Sequence, residues 1–365
     1  MAERNPAVRP PEQEQPLTAT LEVRAAWAAD CHRLLLRLAG RIADRALTRA
    51  RTHLADGHRR TLALELLQAL LEGAVPLADD DEDLLAELLE ADGCDSSPLD
   101  GLPPEPGSWL PSHDFAPGPE GGRTWDDLDR TAIGVVAGES GVRGLWRSRR
   151  LPADGHETAA RRVFVVEAGR ETDLPRLAGL LQWVLAAYGE PDPQVEVYST
   201  GEQPPLYQRL ARSRGVLLWA HDADASLSLV PLGDDTEPGT GVGFSADHPR
   251  IEDREELRQI ASYLRSGELL LVTPERLDDV LDPSRRRAVP LNIRTDGRWI
   301  WTDTMTYYLE QHALAPPARM LAHLRQARYQ APVVDDVSRH RALDLLLDQG
   351  VPDPPFTPRA DPAAL

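Results

Sequence analysis

Lysine is absent from this chain. All 40 of its basic residues are arginine, where average composition would supply on the order of twenty lysines. The gap excludes Schiff-base chemistry, a pyridoxal anchor and the lysine of phosphate-loop and kinase sites. Asparagine is nearly missing too, with only Asn5 and Asn292. Lysine and asparagine have AT-rich codons, so a GC-rich genome accounts for both gaps. Avoidance of amine-directed modification is the other reading.

Cysteine is scarce as well. Cys31 and Cys94 are the only two, which excludes a disulfide framework and a cysteine-rich metal cluster and points to the cytoplasm. Apolar runs stop well short of the roughly 18 residues that span a bilayer. The first twenty residues, rich in Pro, Glu and Gln, lack the apolar stretch of a secretory leader. No histidine pair or Cys/His spacing suits a metal. Gly138-Glu139-Ser140-Gly141 is not a nucleophile elbow, because its second glycine comes one residue early. The expectation is therefore no cofactor and no metal.

What is present is negative charge. The 59 acidic residues outnumber the basic ones, giving a net charge of −19. Such a surface repels nucleic acid and anionic membrane and attracts a basic protein partner; simple solubility is the other reading. At 41% hydrophobic and 27% charged, the 365 residues have the apolar mass of two globular domains.

Spacing along the chain predicts an α+β fold. Residues 1–20 read as a disordered N-terminus. Residues 21–93 read as a bundle of four short amphipathic helices. Their stripes are Trp27, Cys31, Leu34, Leu35 and Leu38; then Leu47 and Leu54; Leu62, Leu66 and Leu70; and Leu84, Leu85, Leu88 and Leu89. Residues 94–125 are Pro/Gly-rich and read as a linker. Residues 126–350 read as a mixed α/β-sheet domain closed by a β-hairpin and helices, and 351–365 as a disordered tail. Strands are expected at 131–137, 162–168, 194–198, 216–220, 227–232 and 269–273, with helices at 174–188, 206–213 and 254–264. The clusters Arg149-Arg150, Arg161-Arg162 and Arg285-Arg286-Arg287 read as solvated faces.

Two groups of residues are candidates for function. Asp296-Gly297 between alternating runs signals a hairpin. A two-residue turn there pairs Arg294 with Trp299 and Asn292 with Trp301, and places Asn292, Arg294, Trp299 and Trp301 on one face. Arg and Trp are enriched at binding hot spots; the other reading packs both indoles under the helix that follows. The second group is His221 with Asp222 and Asp224, just past a predicted strand, where α/β active sites sit. His248 is a further contributor if the fold brings it near.

Five segments, Val195–Tyr198, Leu217–Ala220, Asp247–Arg250, Asp278–Pro283 and Arg294–Asp303, are similar to a recurrent, uncharacterised module of actinobacterial proteins. The resemblance covers about residues 195–324 and implies no activity, cofactor or site residue. The resulting expectation is a non-enzymatic protein-binding module, an immunity-type or regulatory partner of a basic protein. Alternatives are a hydrolase using His221 with Asp222 or Asp224, and an assembly adaptor acting through the N-terminal bundle.

Overall fold

The computed structural model describes residues 15–105, 110–118, 124–152, 160–221, 226–231 and 243–348. The chain is α+β and divides into two compact units, Met1–His221 and Asp222–Leu365. The expected disordered ends, 1–20 and 351–365, fall wholly or mostly outside the described residues.

The first unit opens with helices α1 (Gln15–Leu38), α2 (Asp44–Ala55), α3 (Arg59–Gly73) and α4 (Asp79–Ala91). These are the four helices that the leucine stripes predict. A strand β1 (Asp114–Ala116) follows, then α5 (Asp127–Gly138), β2 (Val142–Leu151) and β3 (Arg161–Ala168). Next come α6 (Leu174–Ala187), β4 (Gln194–Ser199), α7 (Leu206–Ser213) and β5 (Val216–Ala220). The sheet is mixed. β2 runs antiparallel to β1 and β5 along one edge and to β3 on the other, while β4 lies parallel to β3.

Two expectations fail here for identifiable reasons. Residues 131–137 form helix α5, not a strand. Asp126 and Asp129 make a reciprocal capping box that starts a helix, and Ala132 and Val136, four apart, share the buried face. The long strand β2 was not expected, because its arginines read as solvent-facing. Arg147 and Arg150 are instead buried. Arg147 pairs with Asp129, and Arg150 donates to Asp44 at 2.6 Å and to the Tyr207 hydroxyl at 3.2 Å.

The helices are not set apart from this sheet. Among the described residues β4 pairs with β3 alone, and an open strand edge must be covered. α1 and α2 cover it: His32 Nε2 donates to the Val197 carbonyl at 2.7 Å, and Thr48 Oγ1 to the Pro193 carbonyl at 3.2 Å. Within 94–125, β1 joins β2, and Phe115 is buried edge-on against Tyr207. The division in the chain falls after His221 rather than at the Pro/Gly segment.

The second unit contains β6 (Ser228–Leu229), α8 (Arg254–Ser266), β7 (Glu268–Leu271), β8 (Arg276–Leu277), β9 (Val289–Pro290), β10 (Ile293–Thr295) and β11 (Trp299–Thr302). It closes with α9 (Asp303–His312), α10 (Ala318–Gln326) and α11 (Asp336–Asp348). The main sheet has the order β6-β11-β10-β7, and β8 and β9 form a small separate ladder. One face packs Ile293 and Ile300 against Ala342 and Leu346 of α11. The other packs Trp301 among Tyr263 and Leu264 of α8, Leu309 of α9 and Met320 and Leu324 of α10. Among the described residues, no helix is long and apolar enough to cross a membrane.

Candidate ligand-binding cleft

The topology of the first unit creates a crevice. Val195 and Val197 pack with Leu177 and Leu181 of α6, so α6 lies on that face of the sheet. Glu196, alternating with them, points to the opposite face and receives Gln208 Nε2 of α7 at 2.8 Å. The chain therefore leaves adjacent parallel strands β3 and β4 toward opposite faces. Crossovers running in opposite directions along a sheet require this if both are right-handed. Their diverging loops open a gap at the carboxyl ends of the two strands, the position where open α/β sheets bind ligands.

A cleft of about 860 Å³ lies there, within the usual size range of small-molecule sites. One wall is the β3–α6 loop with Arg170, Glu171, Thr172 and Asp173; another is the β4 end and its loop with Ser199 and Glu202. α1 adds Trp27, His32 and Arg33, and the end of α2 closes the rim near Gly57. The loops are fixed. Thr200 donates from both its amide (2.8 Å) and its hydroxyl (3.0 Å) to the Ala168 carbonyl, and Asp173 caps α6 by accepting from the Arg176 amide at 3.1 Å.

His32 is the distinctive group in this lining. It is only 3% exposed. A carbonyl can only accept, so the bond to Val197 puts the ring hydrogen on Nε2 and leaves Nδ1 a lone-pair acceptor. That Nδ1 is buried without a protein partner. Burial pulls the imidazole pKa down to about 4, against the opposing pull of the Val197 hydrogen bond, and Arg51 adds to the lowering. The ring is neutral at pH 7. Behind it lies a buried ion pair, Arg51 to Glu196 at 2.6 Å, which joins α2 to β4.

A smaller cleft of about 440 Å³ is lined by Arg147, Arg149, Arg162 and Asp126. Its charges belong to a structural network. Arg162 donates to Asp126 at 2.6 Å and holds that carboxyl down at about 2, and Arg147 is paired with Asp129.

The sequence candidates take other roles. The hairpin loop is longer than a two-residue turn: Thr295 faces Ile300 and Arg294 faces Trp301, a shift of two positions. A shift of two keeps every side chain on its expected face, but that face is turned inward. Trp301 is fully buried with Nε1 donating to the Leu264 carbonyl at 3.2 Å, and Trp299 is half-buried in the same cluster. Arg294 donates to Asp303 at 2.7 Å and to the carbonyls of Arg265 and Gly267, and Asn292 donates to Asp303 at 2.8 Å. These four residues hold the second unit together and offer no open recognition patch.

His221 is exposed at the end of β5, and Asp222 and Asp224 lie outside the described residues. His248 Nε2 is bonded to the Ala315 carbonyl at 3.0 Å, and its ring stacks edge-on against Phe244. Among the described residues, His221 lies beside the Trp219 ring and its amide donates to the Arg143 carbonyl.

Sequence reasoning missed two buried aspartates in the second unit. Asp296 accepts from the Tyr263 hydroxyl (2.7 Å), His323 Nε2 (2.9 Å) and the amides of Arg298 and Trp299. Asp279 accepts from His312 Nε2 (2.7 Å), the Tyr307 hydroxyl (3.0 Å) and the amides of Leu281 and Asp282. Burial alone raises the Asp279 pKa, but its donors outweigh burial and hold the carboxyl below its ordinary range. Both hubs fix loops, and neither carboxylate has a lone pair left for substrate. Among the described residues, no group of three or more His, Cys, Asp or Glu side chains is placed to hold a metal ion.

No family model, curated protein or solved structure matches this chain. The resemblance over about 195–324 thus brings no function with it, and the division after His221 falls inside that stretch.

Proposed function

We propose that this protein is a non-enzymatic, regulatory ligand-binding protein, and that its first unit takes a small polar molecule in the cleft between the β3 and β4 loops. The observation that carries this reading is the divergence of those two loops to opposite faces of the sheet. The cleft it opens is lined by polar groups held on rigid elements. Among the described residues that line it, no nucleophile is paired with a base, which favours binding over turnover. The test is a thermal-shift screen of polar metabolites on wild type and on Ala28→Trp, which fills the cleft. A ligand at a hundred times its dissociation constant adds about 2.7 kcal/mol, which raises the midpoint by roughly 5–11 °C for a domain of this size. A shift in wild type that disappears in Ala28→Trp supports the reading. Equal shifts in both proteins, or none in either, overturn it.

A second reading keeps a protein partner, and it rests on one surface. Trp183 on α6 and Tyr188 just past its end are 72% and 66% exposed, unusual for aromatics of that size. With the net charge of −19, a basic protein is the partner such a surface suits. Trp183→Ala should leave the thermal midpoint unchanged while releasing that partner; retention equal to wild type would sink this reading. The hydrolase alternative gains no support among the described residues, where His221 is exposed at the end of β5; its Asp222 and Asp224 lie outside them. The adaptor alternative is weakened because the bundle is occupied in covering β4.

A further inference from the structure

α5 and α6 pack together on one face of the first sheet. Ala132 and Val136 of α5 join Leu177, Leu181 and Leu185 of α6 in the core there, so the opposite sides of both helices face outward. The outward side of α6 is apolar. Trp183 is 72% exposed with Ala186 and Ala187 exposed beside it, and Arg176 is the only charged residue of the helix. A helix that is apolar all round belongs in an interior. Among the described residues nothing covers this side of it.

The neighbouring helix offers a shelf. Gly134 and Gly138 are exposed on α5, each about 200° around the helix from the buried Ala132 and Val136. Neither has the positive φ that calls for glycine, and a Cβ at either would meet nothing within 4 Å. Glycine weakens a helix relative to alanine, so the fold of one chain gives no reason for two of them here. Close approach from outside does.

Local charge and size narrow what approaches. The chain carries −19, yet the ions bordering this face pair with one another, Arg130 with Asp127 and Arg176 with Glu139. The face is electrically balanced and holds no surplus carboxylate for a basic protein, and two acidic copies repel least where the local charge is zero. α5 and α6 have 12 and 14 residues, which makes them about 18 and 21 Å long, and packed helices lie about 8–10 Å apart. With a projecting indole, such a face buries roughly 600 Å² per copy, the lower end for a specific interface.

We propose that this face is a self-association surface, with a two-fold axis parallel to α5 and α6 that seats Trp183 of each copy on the Gly134–Gly138 shelf of the other. A knob and a shelf side by side are complementary to themselves, as a closed two-fold contact requires. The assignment rests on the protein-partner reading of the Trp183 surface and puts a second copy of the chain in place of the basic protein.

Sedimentation equilibrium of the full chain tests this, with wild type, Trp183→Glu and Gly134→Gln. So small an area implies a weak dimer, with a dissociation constant on the order of 10–100 μM, and a range of about 5–500 μM brackets it. The wild-type mass should rise across that range from one chain toward two, and both variants should stay at one. Gly134→Gln should also raise the thermal midpoint of the dilute, monomeric protein, because glutamine is the better helix former. Association lost while stability is gained separates a missing contact from a damaged fold. A single-chain mass for wild type at every concentration overturns the assignment, and so does association that either variant retains. After such a failure the protein-partner reading still stands if wild type captures a basic protein that Trp183→Ala releases, and it falls too if the two capture equally.

Discussion

At the residue scale, His32 sets a window of acid sensitivity. Its ordinary pKa of 6.5 falls to about 4 in the folded protein, first because of burial. Between those values the unfolded chain binds a proton that the folded ring refuses. Stability is thus fully held above pH 6.5 and lost as the pH falls toward 4, by roughly 3 kcal/mol. Urea unfolding over this range should show a steep loss in wild type and a shallow one in His32→Gln; parallel slopes would contradict the assignment. Asp126, held at about 2 chiefly by the Arg162 hydrogen bond, acts in a lower window, where stability is lost as the pH drops below 3.8 and through 2. The Arg51–Glu196 pair, with both side chains buried, makes a separate prediction. Glu196→Ala should cost about 3–5 kcal/mol by stranding the guanidinium, while Arg51→Met with Glu196→Leu should recover most of that loss. Chemical denaturation of the three proteins checks this, and a double variant no more stable than Glu196→Ala would count against it. Nothing in the sequence marked His32. It sits one position from Cys31 on an apolar stripe, and its importance comes from Val197, which is distant in the chain.

At the scale of elements, the hairpin 291–302 shows what periodicity can and cannot reveal. Alternation correctly separated the aliphatic face from the Arg/Trp face, since a two-position register shift preserves sidedness. It could not say which face met solvent, because helices pack on both. The loop length was set by Asp296, whose side chain accepts two loop amides and so holds four residues where two were expected. Trp301→Ala should cost about 3–5 kcal/mol of stability, the usual range for a buried large aromatic. A loss below about 0.5 kcal/mol, typical of surface sites, would mean the indole is not buried. Gly267 belongs to the same contact: a Cβ there would come within 2.4 Å of the Trp301 ring, so Gly267→Ala should destabilise as well. β2 escaped notice because a strand carrying Arg147, Arg149 and Arg150 looks solvated until Asp129 and Asp44 are placed beside it. The strands at 162–168, 194–198 and 216–220 were legible because apolar β-branched residues mark them on their own.

At the scale of the whole molecule, composition constrained chemistry more than it indicated function. The absence of lysine and the scarcity of cysteine removed reaction classes, and the net charge of −19 sets the sign of what approaches. The cleft was not legible, because it is a property of chain path: it exists where the β3 and β4 loops part, with α1 laid across them from far upstream. Its occupation is most directly tested by amide and indole chemical-shift mapping of the labelled full chain, titrated with the polar compounds that raise its thermal midpoint. Binding in the cleft predicts that perturbations converge on residues 170–173 and 199–202 and on the Trp27 indole, and leave the second unit's Trp299 and Trp301 signals in place. Perturbations centred on the outer face of α6 or in the second unit, with the β3 and β4 loops unmoved, would contradict it.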